Sequence, residues 1–492
     1  MSGETLIQLA LGIPALGALG IAMTASNRNL REGVTLVTAG ALFWVVVVSL
    51  LPMVLAGARP EWDAIDIVGG VGIAFAIEPL GMLFACIAST LWIVNSIYSV
   101  GYMRGNDEPR QTGFYICFAI AISSAMGIAF AGNLFTLFLF YEVLTVSTYP
   151  LVTHKGNQDA REKGRIYILL LMATSMMLLL PAIIWTYVVA GTADFTTGGI
   201  LAGAGLSAGA LTFMVVLYVF GIGKAAVMPM HFWLPAAMVA PTPVSALLHA
   251  VAVVKAGVFT VLKVMVYIFG LDLLAETGAS QIILYAAGAT VIIASVIALM
   301  QDNLKKRLAF STVSQLSYIV MAAAVPNPIS IIGAALHMAS HAVSKITLFF
   351  AAGSIYTAVH KTEISQLDGI GRRQPWTMVA FAIGALAMIG VPPTATFISK
   401  WFMIQADMAT ENWFALAVII ISTCMNAAYF LPIVWRAFWR APPVDDPDDH
   451  PHGEAPWPIV LALSITASLT LLLFFFPGTV FSLAEAIVAE VP

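Results

Sequence analysis

Apolar runs of about 20 residues recur along nearly the whole chain, separated by short polar or glycine- and proline-containing breaks. Each run is long enough to cross roughly 30 Å of hydrocarbon as a helix, the form that satisfies its backbone polar groups within its own segment. The pattern predicts fourteen spans, at 4–24, 33–56, 78–101, 113–132, 134–152, 164–190, 209–230, 242–269, 281–300, 308–325, 328–357, 376–405, 413–437 and 458–476. The expected fold class is an all-α polytopic membrane protein, one membrane domain over 1–492.

Composition sharpens this picture. The chain is 60% hydrophobic and 10% charged, against about 25% charged in soluble domains, which excludes most soluble readings. Charge placement says more than the net charge. Of 22 lysines and arginines, sixteen follow odd-numbered spans, from Arg28 and Arg31 to Arg436 and Arg440; Arg59 alone follows an even-numbered one. The positive-inside rule then places the odd loops in the cytoplasm and both termini outside, in a bacterial inner membrane. The first 24 residues lack a basic leader and carry Glu4, so a retained span is expected rather than a cleaved signal. Cys86, Cys117 and Cys424 fall inside apolar runs with no metal-ligand spacing and read as core or lipid-facing residues. The loop 441-APPVDDPDDHPHGEAP-456 could hold a metal through its Asp and His residues; its acidic, proline-rich composition favours a solvated connector.

The remaining five lysines, Lys224, Lys255, Lys263, Lys345 and Lys400, lie inside spans, as does Glu142 in span 5. A charge at the bilayer centre costs at least about 2.5–3.5 kcal/mol, so such residues mark function by default; Lys263 reads equally well as structural. Burial disfavours lysine's charged form, which lets a lysine lose and regain a proton near neutral pH. Histidine titrates in that range already. Span 11 reads 337-HMASHAVSK-345, which puts His337, His341 and Lys345 on one helix face at four-residue spacing. His249 and Lys255 are six apart, so either span 8 is distorted or the two face different neighbours. Span 7, with Gly221, Gly223, Pro229 and Pro235, and span 12, with Gly390, Pro392 and Pro393, read as broken helices, each with a lysine nearby. Interrupted helices in corresponding places of two halves point to a transport site. The expected halves are 113–270 and 281–437, arranged as inverted repeats. No phosphate-binding glycine loop, CxxC pair, nucleotide fingerprint or nucleophile elbow is present, so no cofactor, redox chemistry or ATP hydrolysis is expected.

The segments 140-FYEVLTVSTYPLVTH-154, 221-GIGKAAVMPMHFWLPAAMVAPTPVSALLHAVAVVKAGVF-259, 311-STVSQLSYIVMAAA-324 and 337-HMASHAVSK-345 resemble the antiporter-like membrane subunits of Mrp-type cation/proton antiporters, respiratory complex I and membrane-bound hydrogenases. The wording around Glu142 and the length look most like the D-type subunit of the Mrp antiporters. The large A-type subunit is much longer, and complex I relatives usually differ around the span 5 glutamate. The resemblance implies a proton relay through Glu142, Lys224, Lys255, His249, His337, His341, Lys345 and Lys400, with Glu142 pairing with Lys224 and Lys400 ending the second half-channel. It implies other membrane subunits as partners and sodium or potassium as the exchanged cation, in a secondary transporter subunit rather than an enzyme. Two alternatives stand beside it: a proton-pumping subunit of a redox-driven complex, and a structural scaffold whose buried charges only hold helices together.

Overall fold

The computed structural model describes residues 1–68, 71–442 and 453–489. The chain is mostly helical, at 78%. The main helices are α1 (Gly3–Met23), α2 (Arg28–Leu55), α3 (Pro79–Gly105), α4 (Gln111–Ala129), α5 (Leu134–Val152), α6 (Gln158–Ala190), α7 (Ala208–Gly221), α8 (Thr242–Phe269), α9 (Gln281–Met300), α10 (Leu304–Ala323), α11 (Pro328–Val359), α12 (Pro375–Ile389), α13 (Ala395–Ala409), α14 (Trp413–Trp439), α15 (Trp457–Phe475) and α16 (Gly478–Ala489). Asparagine starts many of them. Asn27, Asn133, Asn157, Asn303, Asn327 and Asn412 each accept a hydrogen bond from a backbone N–H of the first turn, satisfying donors that the helix itself leaves free.

Among the described residues, eleven helices are long and apolar enough to cross a membrane. They coincide with predicted spans 1–6, 8, 9, 11, 13 and 14. Predicted span 10 is a continuous helix, α10, but a polar one. Its Ser311, Thr312, Ser314, Gln315 and Ser317 are all buried in the protein, so its polarity faces neighbouring helices rather than lipid. In predicted spans 7 and 12 the helix stops partway, at Gly221 and Ile389. The metal alternative for 441–456 falls largely on 443–452, outside the described residues.

Two elements were not expected from the sequence. Strands β1 (Glu61–Val68) and β2 (Val71–Ala76) form an antiparallel hairpin with Glu61 opposite Ala76. The Ala76 N–H donates to the Phe130 carbonyl at 2.8 Å, which ties the hairpin to the end of α4. This end of the bundle is called the hairpin face below. Helix α16 folds back from α15 to pack on α3 and α11.

Burial ranks the helices. The most apolar stretch of α8 is 100% buried, that of α11 89% and that of α3 78%, against 33% for α6 and α15. Helices α8 and α11 are therefore the central pair, and the outer helices turn residues such as Leu169, Met177, Val188 and Ile420 outward. Exposed Trp376, Trp413, Trp439 and Trp457 stand at helix ends, where an amphipathic ring suits the lipid–water boundary.

Candidate functional site

The first break exposes Lys224. Helix α7 ends at Gly221 and a 3₁₀ turn, Gly223–Ala225, follows. The freed Gly223 carbonyl accepts from the Trp233 indole at 2.9 Å. Gly257 of α8 lies so close to this turn that a Cβ there would sit 2.7 Å from the Lys224 carbonyl oxygen; only glycine permits the approach. The Lys224 ammonium nitrogen donates to the Tyr141 carbonyl at 2.8 Å and to Thr145 Oγ1 at 2.6 Å, and lies 3.1 Å from the Tyr141 ring centre. It does not hydrogen-bond to Glu142. Both Glu142 carboxylate oxygens are buried without a hydrogen-bond partner.

Helix α8 is distorted where the six-residue spacing of His249 and Lys255 required it. A π-turn spans Leu247–Val251, and Ala252 departs from helical geometry (φ −119, ψ −65). Both side chains thereby face α11. The His249 ring packs 4.5 Å from the Phe349 ring, and neither of its nitrogens has a partner. Lys255 Nζ lies 2.7 Å from His341 Nδ1. Two positive charges at that distance would repel by about 6 kcal/mol at an effective dielectric constant near 20. The contact therefore disfavours a state in which both groups are charged.

From His341 the polar file continues along α11 to the second break. The His337 and His341 rings are 6.1 Å apart. His337 Nδ1 meets Ser399 Oγ at 2.9 Å, and its Nε2 meets Gln315 Oε1 at 3.0 Å. The Gln315 amide donates to the Met388 carbonyl at 3.4 Å. Lys400 Nζ donates to the same carbonyl at 3.3 Å, to the Ile389 carbonyl at 2.9 Å and to Thr423 Oγ1 at 3.2 Å. These carbonyls are free because α12 stops at Gly390, which adopts φ +87. Lys345 branches off the file and donates to Ser311 Oγ. Lys224, Lys255, Lys345, the three histidines and Lys400 are all buried, none more than 4% exposed.

Lys263 stands apart. It forms an ion pair with Glu78 at 2.7 Å and donates to the Ala131 carbonyl at 2.8 Å. Both partners line a cavity of about 260 Å³ at the hairpin face. A second cavity, of about 140 Å³, lies at the opposite face between Tyr102, Lys155, Thr242, Lys305 and Tyr356. Beyond Thr242 on α8 come Ser245, whose buried hydroxyl has no partner, and then His249.

The titratable groups of the file were visible in the sequence, and their neutral partners were not. Thr145, Gln315, Ser399 and Ser311 carry no signal of their own in an apolar span. The available hint was that Ser311 and Gln315 stand four apart on a helix too polar for lipid.

The chain matches the family model described as NADH:quinone oxidoreductase/Mrp antiporter, TM, over residues 131–426, which contains every residue of the polar file. It is 29% identical to NADH-quinone oxidoreductase subunit N of Desulforudis audaxviator over 79% of this chain and 75% of that one. It is 25% identical to the D-type subunit of a Na(+)/H(+) antiporter of Alkalihalophilus pseudofirmus over 75% and 74%. Across the curated relatives it matches, the chain spans from about half to three quarters of their length. The fold is that of a chain in the Mrp complex from Dietzia sp. DQ12-45-1b, with a TM-score of 0.89 at 21% identity, covering 100% of this chain and 98% of that one. A membrane-embedded file of lysines and histidines, set at two helix breaks within the matched region, thus belongs to a chain of the NADH:quinone oxidoreductase/Mrp antiporter transmembrane family.

Proposed function

We propose that this chain is the proton-translocating subunit of a multisubunit sodium or potassium/proton antiporter, built from fourteen membrane passages in two inverted halves, each with one broken helix. The observation that carries the reading is the 2.7 Å contact between Lys255 and His341. It joins a lysine of the first half to a histidine of the second, deep among buried helices, and among the described residues no carboxylate forms an ion pair with either. Two bases within hydrogen-bonding distance can share a proton but are disfavoured when both are charged, the arrangement a proton relay requires.

In this mechanism protons arrive from the face opposite the hairpin, where the cavity beside Thr242 leads toward Ser245 and His249. Lys255 and His341 exchange one proton across the α8–α11 contact. From His337 the proton passes to Lys400; Gln315, which accepts from His337, and the Met388 carbonyl, which accepts from both Gln315 and Lys400, orient the two ends of that step. Lys345, held by Ser311, flanks the crossing. Lys224 acts as the switch. Here it rests on Tyr141 and Thr145, away from Glu142; a swing toward the unpartnered carboxylate pairs it and changes the field felt by Lys255. The clustering of basic residues at the face opposite the hairpin supports a cytoplasmic location for that opposite face, with the hairpin face outside.

Similarity to a D-type antiporter subunit, together with the shared fold of an Mrp complex chain, supports the antiporter form. Similarity to a quinone oxidoreductase subunit supports a second form, in which the same relay is driven by a redox enzyme. Dye-monitored proton movement in membrane vesicles, driven by added sodium or potassium without any electron donor, separates them. Transport under those conditions establishes the antiporter; transport only on addition of a reductant moves the chain to the redox class.

A further inference from the structure

The polar file described above ends at Lys400, still inside the protein, with no group assigned to carry a proton onward to water. Asp407 stands beyond it on α13. Seven residues turn a helix through almost two full turns, so Asp407 returns to within about 20° of the Lys400 face, about 10 Å further along the axis. Helix α13 packs against α11 at Met403, whose backbone nitrogen lies 3.0 Å from where a Cβ on Gly333 would be. Since α11 begins at the hairpin face and α13 ends beside that beginning, the step from Lys400 to Asp407 leads toward the hairpin face.

Asp407 is 2% exposed, and its Oδ2 is buried without a hydrogen-bond partner. Among the described residues it has no ion-pair partner. It does not cap a helix either. It lies in the last turn of α13, where the negative end of the helix dipole opposes an anion. The neighbouring Asn412 N–H bonds to its backbone carbonyl, not to its side chain. Burial of a carboxylate without donors is costly, and no local contact compensates for it.

We propose that Asp407 is the proton-exchange residue that connects Lys400 to the aqueous hairpin face, a terminal port of the second half-channel. The Lys400 ammonium gives its proton, through about three hydrogen-bonded waters, to the Asp407 carboxylate. That leaves a neutral amine and a neutral acid. The acid then releases the proton to water at the hairpin face, and the reverse order operates when transport reverses. The inference rests on the relay reading above.

The test uses the intact complex in native membrane vesicles and compares D407N, D407E and K400A with wild type. The expected result is an assembled D407N complex with proton transport lowered at least tenfold, and D407E within about threefold of wild type. If K400A abolishes transport while assembled D407N keeps the wild-type rate, the port is wrong and the relay stands. If K400A also transports normally, the relay itself fails. D407C, in a background where Cys86, Cys117 and Cys424 are replaced by serine, gives a second measurement independent of D407N assembly. Labelling of that cysteine by a membrane-impermeant thiol reagent applied to the hairpin face supports the port; absence of labelling from that face overturns it.

Discussion

A lysine buried in a membrane protein has two fates: it is neutralised by an acid or it is held by neutral oxygens. This chain shows both. Lys263 takes the first, with Glu78 at 2.7 Å. Lys224, Lys345 and Lys400 take the second, resting on carbonyls and hydroxyls, and Lys255 rests on another base. Neutral acceptors stabilise the ammonium form less than a carboxylate does, which is what the proposed relay requires of them. Replacing Glu142 by glutamine or Lys224 by alanine should therefore abolish transport while the complex still assembles; full activity in both assembled variants would remove the switch from the mechanism. His341→Ala should lower transport at least a hundredfold, because it interrupts the crossing between halves, and pull-down of the complex checks that assembly persists. Loss of assembly in every lysine variant would instead favour the scaffold reading.

At the scale of elements, breaks rather than helices create the site. Gly390 ends α12 and so frees the Met388 and Ile389 carbonyls that receive Lys400, and the π-turn in α8 rotates His249 and Lys255 onto one side. The same scale explains the anchoring of α8 at the hairpin face through Lys263. Removing one member of a buried pair leaves an uncompensated charge and costs about 3–5 kcal/mol. Lys263→Met and Glu78→Gln should each lower the melting temperature of the purified protein, and the double variant should recover most of the loss; an additive double variant would show that the pair is not coupled. At the opposite end of α5, burial, with Arg110 and Lys155 nearby, holds the His154 imidazole down to about 4. Its Nε2 lies 3.8 Å from Glu108, whose carboxyl burial pushes up from its ordinary value. The unfolded chain binds a proton on His154 near pH 6.5 and the folded one only near 4. Stability from His154 is thus complete above about pH 6.5 and is lost as pH falls toward 4. Glu108 acts in the opposite sense, so the difference between wild type and His154→Gln is the informative quantity. The variant's melting temperature should fall less than that of wild type between pH 7 and 4.5.

At the scale of the molecule, the file runs crosswise through the bundle, between α5 and α14, and not straight from one face to the other. In the proposed mechanism such a path moves a proton between two offset half-channels and needs a driving event elsewhere, in keeping with fold neighbours that occur in multisubunit membrane complexes. Gentle purification of the tagged chain from its native membrane should bring other small membrane subunits with it. Mass spectrometry that instead finds iron–sulfur or hydrogenase subunits would transfer the energy source to redox chemistry and leave the relay residues in place. A reporter that is active only in the cytoplasm should give no signal when fused to the N-terminus; a strong signal would reverse the orientation.

The membrane class, the limits of most helices and the titratable residues were legible in the sequence. Twenty-residue apolar runs and charges inside them are costly in water or lipid respectively, and that cost is local. Predicted spans 242–269 and 281–300 coincide with α8 and α9 for this reason. What each charge faces was not legible, because it depends on helices distant in sequence. Lys263 and Lys255 stand on the same helix with similar surroundings in sequence, yet one meets Glu78 and the other His341. The hairpin had a turn signal of its own, two glycines between the short runs 61–68 and 71–76, but those runs are far below membrane-crossing length and leave no trace in a pattern of twenty-residue apolar runs. Asp407 reads in sequence as a polar residue at a helix end, and only the packing of α13 against α11 buries it. Hydrophobic periodicity is a property of one segment and the sequence determines it; the partner of a buried charge is a property of two segments, and only the tertiary structure decides it.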